Sequence, residues 1–396
     1  NSRETRLKRR DFLAASAMLS LLATAPVEAA KKKASAKKST AKKTPVQTPV
    51  EPAPEEPRNV ISLPDEPLPQ WQHYDIETTI TLQRTEGKVR VWLPLAQYKD
   101  TLWERSLGHH WEGNFASAGI YRDPVADMEV FYADWADGVA SPQLQISSQV
   151  ATQDRHFDIT RRGAIAERTE VLRRCLRATE LVPLDGIVRQ TAERAIGRVK
   201  DPVAQGKAIY DWVVDNVAYD GSAYRAEEID IGAFLAVGDL RSRSAGFALL
   251  FTGLCRAIGI PARPVFGLRI DRSRLFDSLG ASGNLAAAQQ SRAEFYAPGY
   301  GWIAVNPADV RKAILDEKLS DWDPKLTVLK KLLFGFWEMN WISFNAALDV
   351  SLRGASGRSL PFLNQPEAAR IDEPFERLIG DQFAYTVTAR HLDAPG

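Results

Sequence analysis

The sequence predicts an α+β protein, with an antiparallel β-sandwich-like domain over residues 69–162 followed by a mixed helix-and-strand core over 163–320. The first observation behind this is a set of four short segments, 74–83, 88–95, 128–135 and 143–152, that alternate or cluster Val, Ile, Thr, Phe, Tyr and Trp. Turn pairs at Glu86-Gly87 and Asp137-Gly138 separate them, and no long helical repeat intervenes, as expected of a sandwich. The second observation is a change of period after Gly163. Ile209, Trp212, Val213 and Val217 recur at helical spacing behind Asp201-Pro202, a capping carboxylate followed by a proline suited to the first helical turn.

Later elements follow from similar signals. An apolar run over 245–258, stopped by Gly259 and Pro261, predicts a buried helix that leads into a strand at 262–270. Strands at 293–297 and 302–305 are joined by the tight turn Pro298-Gly299-Tyr300-Gly301. Beyond Val310, an amphipathic segment at 325–334 and strand signals at 341–352 and 383–389 predict that residues 321–396 form an extension packed on the core, lengthening its sheet.

Composition excludes several function classes. The 51 basic and 50 acidic side chains leave a formal charge of +1, so no nucleic-acid partner is expected. The two cysteines, Cys175 and Cys255, sit in apolar helix-like runs and are expected to be free and buried. His109 and His110 are neighbours that point to opposite faces of a strand, and with no third ligand no metal site is expected. No cofactor is expected either.

Residues 1–29 read as a twin-arginine signal peptide. Arg9-Arg10-Asp11-Phe12-Leu13 follows a basic start, a short apolar stretch runs to Ala25, and Val27-Glu28-Ala29 offers a small-residue cleavage site. The expected location is therefore the periplasm. Residues 30–68 form a linker: Lys31, Lys32, Lys33, Lys37, Lys38, Lys42 and Lys43 precede closely spaced prolines, a composition that cannot offset ordering entropy with apolar burial. Its lysines are candidates for weak contact with an anionic surface.

From residue 238 the order of motifs is more specific. Gly238-Asp239-Leu240 and Arg241-Ser242-Arg243-Ser244 open an apolar helix, and Gly259-Ile260-Pro261-Ala262-Arg263 leads from it into a strand. Ala293-Glu294-Phe295-Tyr296, Pro298-Gly299-Tyr300-Gly301-Trp302 and Asn306-Pro307-Ala308-Asp309 follow. This order resembles the transglutaminase-like superfamily of papain-like cysteine enzymes, and over residues 71–392 it is most similar to a group of exported bacterial members. The resemblance implies a Cys–His–Asp triad, with the cysteine at the positive end of the central helix, where thiolate is favoured. In this chain those three positions fall on Ser244, Gln290 and Asn306.

The three departures are not a slip of register, because no histidine lies between His156 and His391. Cys255 is eleven residues beyond Ser244, roughly 16 Å along a helix, and cannot replace the nucleophile. A serine hydroxyl needs a base to take its proton and a glutamine amide is none; in a working triad, losing serine or histidine costs a factor of about 10⁶. The altered context of Arg241-Ser242-Arg243 favours a natural pseudoenzyme over an engineered inactive form. The expected function is binding or scaffolding of a polypeptide or cell-wall component, with Arg241, Arg243, Tyr300 and Trp302 as binding candidates. Tyr296, Trp322, Phe334, Phe336, Trp337 and Trp341 add aromatic surface or core near them. The alternative is a residual serine-dependent acyl transferase or hydrolase in which Ser244 is helped by Asp239 or Asp309.

Overall fold

A computed structural model describes residues 71–83, 85–164, 166–222, 230–320, 322–355, 359–371 and 376–392. The signal segment 1–29 and the linker 30–68 with its lysines lie outside the described residues. Among those described, no helix is long and apolar enough to cross a membrane.

The first strand, Gln72–Leu82, shows why a sandwich forms: its side chains alternate between buried and partly exposed, and Tyr74, Ile76, Thr78 and Ile80 share the inner face. One sheet places it between the strand Gln143–Thr152 and the last strand, Phe383–Leu392, with Glu104–Gly113 on the far edge. The facing sheet runs Glu376–Arg377, Glu367–Arg370, Val89–Pro94, Met128–Trp135 and Ser117–Asp123. Ile80, Leu144 and Ile146 from the first meet Val91, Phe131 and Trp135 from the second in one apolar layer.

The two longest strands that went unread in the sequence are Glu104–Gly113 and Ser117–Asp123. Both are edge strands with few buried positions, so neither carries an apolar period. The expected extension of the core by 383–389 is corrected. Phe383–Leu392 pairs with the first strand of the sandwich from Leu82↔Phe383 to His73↔Leu392, and Glu367–Arg370 joins the facing sheet. Strand alternation reports which face is buried and not which edge is paired.

The core is a four-stranded antiparallel sheet in the order Gly301–Val305, Gln289–Ala297, Ala262–Arg269, Trp341–Asn345. The central helix Ser244–Ala257 packs on it and is buried on every side, with Phe247, Leu250, Phe251 and Leu254 in one apolar cluster with Phe266 and Phe295 of the sheet. It ends where Gly259 takes φ +86°, and Cys255 lies wholly inside the core, free, as does the buried Cys175. The helix Pro202–Asn216 starts as expected, with the Asp201 carboxylate accepting from the Ala204 N–H at 2.9 Å.

Buried contacts join sandwich and core, among them an apolar cluster and a carboxylate. Val387 of the last strand packs among Ile76, Leu268, Leu285 and Ile342. Glu104, on an edge strand of the sandwich, accepts hydrogen bonds from the Ser343 backbone N–H at 2.9 Å and the Ser343 hydroxyl at 2.8 Å. Burial pushes the Glu104 carboxyl up to about 7, against the opposing pull of those bonds and of the Arg292 and Arg155 charges.

Two outcomes are expected. Val387→Asp should destabilise the protein by roughly 3 kcal/mol or more, and Val387→Ala by about 1–2, in denaturant unfolding, because only the first leaves a buried charge without a partner. The Glu104 pKa is raised on folding, so its contribution is fully present below about pH 4.5 and is lost as pH rises through about 7. Melting temperature should therefore fall between pH 5 and pH 8 in the wild type and much less in Glu104→Gln.

Candidate functional site

Ser244 is the first residue of the central helix and is buried. Its Oγ accepts a hydrogen bond from the Ser291 backbone N–H at 3.0 Å, which ties the helix start to the neighbouring strand. Gln290 stands one residue earlier on that strand, opposite Gly267. A Cβ on Gly267 would lie 2.0 Å from the Ile342 carbonyl oxygen and 2.4 Å from the Trp341 ring, so glycine is needed for this close approach, and the indole donates from Nε1 to the Gln290 carbonyl at 3.1 Å.

The Gln290 side chain is committed at both ends. Its Nε2 donates to Asp309 Oδ1 at 2.9 Å and to Asn306 Oδ1 at 3.2 Å, while its Oε1 accepts from Arg292 Nε at 3.1 Å. Asn306 caps the helix Pro307–Asp316: its Oδ1 accepts from the Asp309 N–H at 3.3 Å, and Pro307 occupies the first helical position. In return, Asn306 Nδ2 donates to Asp309 Oδ2 at 2.6 Å. Asparagine is as good a cap as aspartate, so this end of the network needs no carboxylate at 306.

The carboxylate at the centre is Asp309. It is 3% exposed and forms a buried ion pair with Arg269, whose guanidinium also donates to the Leu279 carbonyl. Arg292 lies beside it, over the Trp341 ring at 4.5 Å, and burial pushes its pKa down to about 9 despite the attraction of Asp309. Further along the same strand face, Glu294 is clamped by Arg155 at 2.7 Å and Arg263 at 2.6 Å. Burial raises its pKa, but these two charges outweigh it and hold the carboxyl below its ordinary range.

Gln290 and Asn306 therefore touch, whereas Ser244 joins them only through the backbone of Ser291. Arg241 and Arg243 flank the helix start and are exposed; Arg241 pairs with Asp239 at 2.9 Å and Arg243 Nε donates to the Gly221 carbonyl at 2.6 Å. Tyr300 and Trp302 do not share a site with them. Trp302 pairs with Tyr296, six residues from Gln290 and so about 20 Å along the strand. There Trp302 donates to Glu167 at 3.0 Å beneath Arg263, and the Tyr300 hydroxyl accepts from Arg162 Nε at 2.8 Å. Phe336, Trp337 and Trp341 are core residues, while Trp322 is 92% exposed. His109 faces inward, against Ser148 at 2.8 Å, and its neighbour His110 is exposed, the opposite facing that a strand requires.

Comparison with known sequences supplies the relationship. A sequence profile of the transglutaminase-like superfamily matches residues 189–307, which include Ser244, Gln290 and Asn306. An uncharacterized protein of Haemophilus influenzae is 30% identical over 331 residues, covering 78% of this chain and 85% of that protein. The chain belongs to the transglutaminase-like superfamily. Among solved structures, a provisionally assigned cysteine protease from Cytophaga hutchinsonii has a TM-score of 0.49 at 15% identity, covering 81% of this chain and 98% of that one. The periplasmic domain of TgpA from Pseudomonas aeruginosa scores 0.31 at 15% identity over 61% and 92% of the two chains. Nothing about the activity of this transglutaminase-like chain follows from likenesses at that level.

Sequence reasoning missed Arg269 and Arg292 and gave Asp309 only a minor part. The signal was present in the alternation of the strand: Gln290, Arg292 and Glu294 occupy every second position, so one face of a buried strand is polar throughout and must meet partners. Asp309→Asn should destabilise the protein by about 3–5 kcal/mol in denaturant unfolding, since it strands a buried guanidinium, whereas Ser244→Ala should cost about 1 kcal/mol.

Proposed function

We propose that this transglutaminase-like protein is a periplasmic pseudoenzyme that binds or scaffolds a polypeptide or cell-wall component. The observation that carries the first half is the saturation of Gln290. An amide that donates twice to Asn306 and Asp309 and accepts from Arg292 has no basic lone pair to offer Ser244. The other residues offered as helpers are also committed: Asp309 is paired with Arg269 and Asp239 with the exposed Arg241. The five histidines lie on sandwich strands or on Arg155–His156 immediately after them, and none belongs to the polar network.

The polar network then serves the fold. It joins the hairpin, the strand Ala262–Arg269 and the helix Pro307–Asp316 around one carboxylate, and the Ser244 hydroxyl fixes the start of the central helix. Export rests on the basic, apolar and small-residue order of residues 1–29. The choice of a polypeptide or cell-wall partner rests on that location and on family membership.

Amine incorporation, deamidation and peptide hydrolysis, compared between wild type and Ser244→Ala, test the absence of catalysis. The expected result is the same background trace for both proteins, with no mass shift on Ser244. An acyl adduct on Ser244, or turnover lost in the variant, would establish a serine enzyme instead.

A further inference from the structure

A half-open cavity of about 710 Å³ lies where the helices Pro202–Asn216, Pro307–Asp316 and Pro324–Leu332 meet. Arg311 and Asp309 are two positions apart on one helix, about 200° around its axis, so the cavity looks away from the buried network. Its cations are Lys207, Arg311, Lys330 and Lys331. Lys207 pairs with Asp211 at 2.6 Å and Lys330 with Asp215 at 2.6 Å. Arg311 and Lys331 have no carboxylate partner among the described residues, which leaves four cations against two acids. The Nε of Arg311 is buried and donates to nothing. The walls, Val214, Ile314 and Leu326, are apolar.

The support for a ligand is the Arg311 guanidinium that lines the cavity without a carboxylate partner among the described residues, and an oxyanion is the acceptor whose geometry fits that planar fork. The apolar walls require the ligand to carry hydrocarbon next to that charge. We propose that this cavity binds a ligand with a carboxylate or phosphate group on an apolar chain, with Arg311 and Lys331 taking the oxyanion. The site is independent of Ser244, and its occupancy does not depend on whether the chain is catalytic.

Calorimetric titration of the full chain with hexanoate, hexyl phosphate, inorganic phosphate and hexylamine tests it. At least one of the two hexyl anions should bind saturably and more tightly than inorganic phosphate, with affinity that falls as salt rises, while hexylamine does not bind. Preference between the two anions tells a carboxylate ligand from a phosphate one. Arg311→Gln should weaken binding by about tenfold or more. Lys331→Glu, at an exposed position where folding is not at risk, should do the same. No saturable binding of either hexyl anion up to about 10 mM, or unchanged affinity in both variants, overturns the assignment.

Discussion

Asp309 is a carboxylate taken almost completely out of water, and the core is arranged around keeping it satisfied. Arg269 neutralises it from the strand Ala262–Arg269, Gln290 donates to it from the hairpin, and Asn306 donates to it from its own helix cap. An isolated buried charge costs several kcal/mol, whereas one that is paired and fully hydrogen-bonded persists and fixes the positions of its partners. Three elements distant in sequence thus converge on one residue. The same requirement explains why this site is polar: an apolar substitution at 269, 290 or 306 would leave the carboxylate short of a donor.

A second set of buried charges ties sandwich to core by alternating with indoles. Arg155 lies between the Trp103 and Trp337 rings, at 4.1 and 4.4 Å, and Arg292 lies over Trp341 at 4.5 Å. Trp337 and Trp341 meet edge to face at 5.3 Å. The delocalised guanidinium is weakly hydrated and stacks on aromatic faces, so arginine tolerates such a position where lysine would not. Trp337 and Trp341, two of the aromatic residues singled out in the sequence, are thus core residues that hold cations inside the protein.

Much of the core was legible because its signals are local. Asp201-Pro202 caps and starts a helix, Gly259-Ile260-Pro261 ends one, and Pro298-Gly299-Tyr300-Gly301 turns a hairpin, each through the conformational limits of the residues concerned. Ser244, Gln290 and Asn306 were picked out by spacing within motifs, and Gln290 and Asn306 meet in the structure. The edge strands Glu104–Gly113 and Ser117–Asp123 were not, since an edge strand buries too little to show a period.

Residue identity and short spacing were enough to read the family, the α+β class and the lack of any histidine between His156 and His391. Tertiary structure alone decided that the last strand closes the sandwich, that Tyr300 and Trp302 stand far from Gln290, and that Asp309 with Arg269 and Arg292 forms the buried centre. Strand pairing and burial of charge are set by contacts between segments tens to hundreds of residues apart, and a local pattern names the face that is buried without naming what it meets.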